Sequence, residues 1–406
     1  MLTLEDLPLE DKVVFLRVDL NTPLEPATSK LMELNRIKEA AVTIRDLNKS
    51  RVVVGSHQGR VGRDDYISLE QHADALSDLL GKKVIFANDI FGPTAISEID
   101  SLSKGEVLLL DNLRFTAEEN MEFTPAAAAK TILVQKLYKH FNACVLDAFP
   151  TAHRAHPSIV GFSHLLPTCA GRIVSKELKA LNRIMTVEKA PFTTVLGGAK
   201  VSDRLEAIDT LIANKRADKV LLCGLIANVF LKASKKIEYD IGIDNEERSV
   251  DKASFLMADF PDTFELPVDV AVERSGERVE IPISELRKGE KVYDIGSKTI
   301  DHYSRIIRSS GTIFMSGPPG FFEDPRFGSG TEALLRAMAS SFGTTIVSGG
   351  HLSAALQRFG IKEWIDHVST AGGALVLFLG GKRLPLIEAL ESYEIKMKNN
   401  GGKLVV

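Results

Sequence analysis

Residues 194–212 read TVLGGAKVSDRLEAIDTLI. A short β-branched run enters Gly197 and Gly198, and then Leu205, Ile208, Leu211 and Ile212 recur at the spacing of one helical face. That is a strand, a tight turn and a helix. Glycine lets the backbone approach an anion, and the first turn of the helix aims free amides at it. Lys200 stands beside that position. Working outward, the same grammar repeats. Thr193–Leu196, Lys219–Cys223, Val268–Val272, Thr312–Met315, Thr344–Val347 and Ala374–Leu379 read as strands. Ser202–Asn214, Ser329–Ser341, His351–Phe359 and Leu384–Leu390 read as helices. The first half does likewise. Strands are expected at Lys12–Val18, Arg51–Ser56, Lys83–Ala87, Glu106–Leu110 and Ala143–Asp147, with helices at Glu33–Leu47, Ser68–Leu80 and Pro125–His140. The strands are near-continuous apolar runs, as in a parallel sheet covered on both faces. Strands alternating with helices give right-handed βαβ units. The expected fold is α/β, with two Rossmann-like, doubly wound parallel-sheet domains.

The chain has 406 residues, 44% apolar and 26% charged, with a net charge of −4. This is ordinary globular composition, long enough for two full cores. The acidic balance argues against a nucleic-acid partner. Cys144, Cys169 and Cys223 are far apart and form no CxxC pair, which argues against a disulfide framework or a structural zinc. The N-terminus, MLTLEDLPLEDK, has no secretory pattern. The longest apolar run, Val220–Leu231, falls well short of the roughly twenty residues a membrane helix needs. A cytoplasmic protein with no membrane partner is expected.

Three more glycine-rich turns follow strands in the second half: MSGPPG at 315–320, VSGGH at 347–351 and STAGGA at 369–374. One such loop is only a turn. Four on one sheet edge point to nucleotide binding, since ligands of open α/β sheets bind at that edge. Neither GxxxxGK[ST] nor a clear GxGxxG is present, so the half is neither an ordinary P-loop nor a dinucleotide domain. The first half carries charged groups at its strand ends: Arg17, Asp19 and Asn21; His57 and Arg60; Arg114; and Asp147, His153, Arg154 and His156, with Arg36 opening a helix. Arginine's rigid fork suits phosphate and carboxylate. One half thus suits a small polyanion and the other a nucleotide, and phosphoryl transfer is the reaction that joins them.

In order, RVDLNTP, SHQGR, LLDNLRF, DAFPTAHRAH, GGAKVSD, DIGSKT, SGPPGFFE, GGH and STAGGA resemble the phosphoglycerate kinase family, from about residue 12 to residue 390. GGH in place of GGD resembles its archaeal branch. The resemblance implies two lobes with a cleft between them. Residues 1–172 and the returning segment 391–406 would form the triose lobe, 173–187 a joining helix and 188–390 the nucleotide lobe. It implies transfer between 1,3-bisphosphoglycerate and ADP with magnesium, in glycolysis and gluconeogenesis, by a hinge-bending monomer or homodimer. Asp19, Leu20, Asn21, Arg36, His57, Gln58, Gly59, Arg60, Arg114 and Arg154 would hold 3-phosphoglycerate. The 3-phosphate would lie among His57, Arg60, Arg114 and Arg154. Gly197, Gly198, Lys200, Arg204, Ser316, Glu323, Gly349, Gly350, His351 and Leu352 would line the nucleotide, with Glu323 at the ribose. Arg36 and Lys200 would be catalytic, stabilising the transferring group.

The chain departs from the family pattern on the nucleotide side. Arg204 replaces a lysine, Ser316 an asparagine, His351 an aspartate and Leu352 a threonine, and Ala371 interrupts a glycine run. No protein residue is therefore expected as a metal ligand, and magnesium would be held through nucleotide phosphates and water. Two other readings remain: a non-catalytic two-lobed sensor of anionic metabolites, and a two-lobed dehydrogenase, which would want the missing GxGxxG.

Overall fold

The structure is a computed structural model and describes residues 1–186, 190–214, 217–238, 241–369 and 371–399. It divides into two compact units, Met1–Lys179 with Arg383–Val406, and Ala180–Lys382. The helix Arg172–Thr186 runs across the division, and the helix Pro385–Asn399 belongs to the first unit. Parts of the expected joining helix and returning segment, 187 and 400–406, lie outside the described residues.

The first unit holds β1 (Val13–Val18), β2 (Arg51–Gly55), β3 (Ile85–Ala87), β4 (Val107–Leu110), β5 (Ala143–Asp147) and β6 (Thr168–Ala170). They form one sheet in the order β3-β4-β2-β1-β5-β6, every pairing parallel. Every residue of β1 is buried, because helices cover both faces. On one face Val14, Leu16 and Val18 pack with Ile37, Ala41 and Ile44 of the helix Asn35–Asp46. On the other, Phe15 stacks on Phe141 and meets the tilted ring of Phe162, with ring centroids 5.2 and 4.5 Å away. Each such side chain contributes about 1.5–3 kcal/mol on burial. The helix expected over 125–140 is broken. Pro125–Ala128 and Ile132–Leu137 are separate helices, and a 3-10 turn follows at Tyr138–His140. Thr131 interrupts the run, its hydroxyl donating to the Ala128 carbonyl at 2.7 Å.

The second unit holds β7 (Phe192–Leu196), β8 (Lys219–Leu222), β9 (Phe264–Glu265), β10 (Asp269–Arg274), β11 (Glu277–Pro282), β12 (Val292–Ile295), β13 (Thr312–Ser316), β14 (Thr344–Ser348) and β15 (His367–Ser369). Six of them form a second all-parallel sheet, β15-β14-β13-β7-β8-β9. Two expectations are corrected here. The strand expected at Val268–Val272 exists, but it lies in a separate antiparallel sheet, β11-β10-β12. Ser275 and Gly276, both at positive φ, make the tight hairpin turn that joins β10 to β11. Residues 374–379, expected as a strand, are helical within Gly373–Leu379. That run is buried nearly all round, so it carries no periodicity to separate helix from strand.

Candidate active site

In the first unit the charged groups gather where four neighbouring strands, β4, β2, β1 and β5, end. After β1, Asp19 accepts from Arg36 Nη1 at 2.5 Å and from the Asn21 amide at 3.0 Å. Arg36 lies in the first turn of the helix Asn35–Asp46, with its side chain 30% exposed. The Leu20 amide donates to Ser56 Oγ at 2.9 Å, which ties the ends of β1 and β2 together. Gln58 is buried and grips Thr22 by both its carbonyl and its amide, each at 2.9 Å. The Gly59 amide donates to Asn21 Oδ1 at 2.9 Å, and Arg114 donates to the Gly59 carbonyl. Asn112, at the end of β4, accepts from the amides of Gln58 and Arg114 at 3.2 and 3.1 Å and so fixes both loops.

His57 is buried behind these loops. Burial first, and then Arg17, Arg114, His156 and Arg36, push its pKa well below the usual imidazole value, so it is neutral. Its Nδ1 lies 3.2 Å from Arg17 Nη2. A guanidinium only donates, so Nδ1 accepts and the proton sits on Nε2. Arg17 is wholly buried. Its Nε donates to Ser158 Oγ at 2.7 Å, and Nη2 lies 3.6 Å from the buried Glu119. Arg17 is therefore committed inside the protein and serves as the brace behind His57. Sequence reading placed Arg17 among the strand-end groups but gave no sign of Glu119 or Ser158, which lie far along the chain.

Arg60 is exposed, and Arg114 and Arg154 are half-buried. Burial, together with Arg17, Arg60 and Arg154, lowers Arg114 to about 10. His156 is lowered to about 3 by burial, Arg17, Arg114 and Arg154. These mutual effects put the arginines in one neighbourhood. The nearby carboxylates are already taken: Glu119 sits against Arg17, Asp19 on Arg36, and Glu122 3.7 Å from Arg154. The result is an excess of positive charge around a neutral imidazole, which is an anion site. Asp147 stands apart from it. It is fully buried, accepts from the Val174 amide at 3.0 Å and from the Thr43 hydroxyl, and caps the helix Arg172–Thr186.

In the second unit the four glycine loops follow β7, β13, β14 and β15, which are neighbours in the sheet. The Gly197 amide donates to the Ser316 carbonyl at 3.0 Å, and the Gly198 amide to the Pro318 carbonyl at 2.9 Å. A Cβ on Gly317, which has φ +80°, would collide with the Gly197 carbonyl. Lys200 is exposed at the start of the helix Val201–Ala213. Arg204, one turn on, is 9% exposed. Its Nε donates to the Gly197 carbonyl at 3.1 Å and its Nη1 to Ser316 Oγ at 2.9 Å. Gly349 takes φ +109° before the helix Gly350–Arg358. Glu323, Gly350 and His351 are exposed. Leu352 is fully buried in the core with Val347 and Leu356, so only its backbone faces the loop side.

The order of these blocks agrees with known proteins. A family model described as phosphoglycerate kinase matches residues 4–382. The chain belongs to the phosphoglycerate kinase family. It is 42% identical over 406 residues to the phosphoglycerate kinase of the archaeon Methanobacterium bryantii, covering 98% of each chain. The solved phosphoglycerate kinase of Pyrococcus horikoshii OT3 superposes with a TM-score of 0.86 at 40% identity, covering 97% of this chain and all of that one. That of Coxiella burnetii gives 0.71 at 33% identity, covering 96% and 99%. The activity is thus a phosphotransferase reaction of glycolysis, between 1,3-bisphosphoglycerate and ADP, giving 3-phosphoglycerate and ATP. Nothing in these comparisons supports a non-catalytic sensor. Among the described residues no helix is long and apolar enough to cross a membrane.

Proposed function

We propose that the first unit binds 3-phosphoglycerate and the second binds ADP or ATP. His57, through Nε2–H, with Arg60, Arg114 and Arg154, takes the 3-phosphate. Asp19, Leu20, Asn21, Gln58 and Gly59 shape the rest of that site. Gly197, Gly198, Gly349 and Gly350 offer backbone to the nucleotide, and Glu323 meets the ribose hydroxyls. The observation that carries this reading is the gathering of strand-end guanidinium groups, with Arg17 on His57 at 3.2 Å and Arg114 on the Gly59 carbonyl.

The chemistry needs no base. A carboxylate oxygen of 3-phosphoglycerate attacks the γ-phosphorus of ATP, and the bond to ADP breaks. The attacking carboxyl, with a pKa of about 4, is already ionised at neutral pH. What remains is charge on the three equatorial oxygens. Arg36 and Lys200 supply positive groups there. Excluding water from the site protects the acyl phosphate from hydrolysis. Magnesium on the nucleotide would neutralise further charge. Position 351 offers an imidazole, whereas magnesium takes oxygen ligands, so this chain leaves the ion to phosphates and water. A direct protein carboxylate in a magnesium–nucleotide complex would contradict that. We assign the protein to the cytoplasm as a monomer or homodimer, a setting in keeping with three buried, unpaired cysteines.

Calorimetry with 3-phosphoglycerate and with glycerate tests the triose assignment. Arg114→Ala should weaken 3-phosphoglycerate binding about a hundredfold and leave glycerate binding unchanged. Equal weakening of both would remove Arg114 from the phosphate. A coupled assay with 3-phosphoglycerate, ATP and magnesium, followed by NADH-dependent reduction of the product, measures the reaction itself.

A further inference from the structure

Two departures from the family pattern, Arg204 and Ser316, meet in the fold. The Arg204 guanidinium lies under the first two glycine loops and donates to the Gly197 carbonyl at 3.1 Å and to Ser316 Oγ at 2.9 Å. Those loops also bond directly, Gly197 to the Ser316 carbonyl and Gly198 to the Pro318 carbonyl. They pack so closely that a Cβ on Gly197 would collide with the Pro318 carbonyl. Ser316 is wholly buried and Arg204 nearly so. The partners of Arg204 are a carbonyl and a hydroxyl, and both of these bonds are to neutral groups.

We propose that Arg204 is a positioning residue that clasps the loops 197–198 and 316–318 through Ser316, and that the two residues work as an exchanged pair. Arginine has the reach and the fork to serve both loops at once. Serine leaves the space that the larger head group fills, where asparagine beside arginine would overfill a buried site. Lysine with serine would leave a gap and an unmet donor or acceptor. The clasp fixes the spacing between two loops that carry Lys200 and let a phosphate approach their glycine backbone, and its positive charge lies beneath them. Residue 204 thus acts through the loops, and Lys200 remains the cation that meets the nucleotide. This inference rests on the assignment of the nucleotide to these loops.

The test is a double-mutant cycle of Arg204→Lys and Ser316→Asn, with ADP and 3-phosphoglycerate affinities measured by calorimetry and kcat in the coupled assay. Each single change should weaken ADP binding about tenfold and leave 3-phosphoglycerate binding unmoved. The double variant, which installs the usual pair, should return ADP affinity to within about threefold of the starting protein. Ser316→Ala, which removes the acceptor without adding bulk, should weaken ADP binding a few-fold. Losses that multiply in the double variant would overturn the pairing. A fall in melting temperature without change in ADP affinity would reduce the pair to a structural contact. Lys200→Ala separates the two assignments. If ADP affinity and turnover survive that change, the nucleotide assignment fails. If Lys200→Ala weakens both while the cycle shows no recovery, the clasp alone fails.

Discussion

The two units place ligand groups at the same point of the same kind of sheet, yet build them from different material. In the first, four adjacent strands end in charged and amide side chains, each held by another: Arg36 by Asp19, Gln58 by His72, His57 by Arg17. In the second, four adjacent strands end in glycines, and the contacts are mostly backbone amides. A site made of side chains cannot change its residues without changing its chemistry. A site made of backbone can, provided the loops keep their spacing. The departures at 204, 316, 351, 352 and 371 all fall on the glycine side, and none falls in the set we assign to the triose. The contrast is sharpest at Arg36, a side chain assigned to the transferring charge. Arg36→Ala should cut turnover about a thousandfold with ADP affinity unchanged. A rate loss below tenfold would remove that role.

The brace behind His57 is the next largest effect. Arg17→Met leaves Glu119 buried without its cation, and breaking such a pair costs about 3–5 kcal/mol. Denaturant unfolding should show it. Arg17→Met with Glu119→Leu should recover much of the stability, because both charges leave together. The double variant should still bind 3-phosphoglycerate poorly, since His57 loses the donor that fixes its tautomer. Normal affinity there would mean the brace serves the fold alone.

The glycine side answers to backbone instead. Gly317→Ala adds a Cβ at φ +80°, against the Gly197 carbonyl. The strain is about 1–3 kcal/mol. ADP affinity should fall about tenfold, while 3-phosphoglycerate affinity in the first unit stays the same. A parallel loss of both would show that the loop shift spreads beyond its unit.

The sequence pattern was most legible where burial and period agree. VVFLRV and RVVVG are apolar but for Arg17 and Arg51 and lie as central parallel strands. The strand-end motifs were legible too, because fold and chemistry fall on the same few residues. ALVLFL was not, since a helix buried on all sides shows the same unbroken apolar run as a buried strand. Three-residue strands such as Thr168–Ala170 are too short to carry a pattern. Asp147 was grouped with the histidines of its motif, but its partners are Thr43 and the backbone of a later helix, a choice made by tertiary packing. Arg17 reads as one more strand-end arginine, and nothing local tells that its partner Ser158 lies 141 residues on.

The smallest contrast is in acid. The first unit buries His72, lowered to about 4 chiefly by burial, and His156, lowered to about 3. Unfolded, each has a pKa near 6.5. Below that pH the unfolded chain takes up protons that the folded chain refuses, so stability is full above 6.5 and falls as pH drops toward 4. Asp147, raised to about 7 by burial, has the opposite sign: folded, it gains its proton before the unfolded chain does. Whole-protein pH curves mix the two. His72→Gln isolates one of them, because its side chain still reaches toward Gln58, 3.2 Å from the imidazole Nε2, and cannot titrate. Between pH 6.5 and 5.5 the variant should lose about 1 kcal/mol less than the parent, with Asp147 cancelling in the difference. Hydrogen exchange at Leu76, on the buried face of the same helix, should follow that gap, while β13 of the second unit does not. Identical slopes in the two proteins would mean that His72 gains its proton at the same pH folded and unfolded, and that burial counts for less there than its surroundings imply.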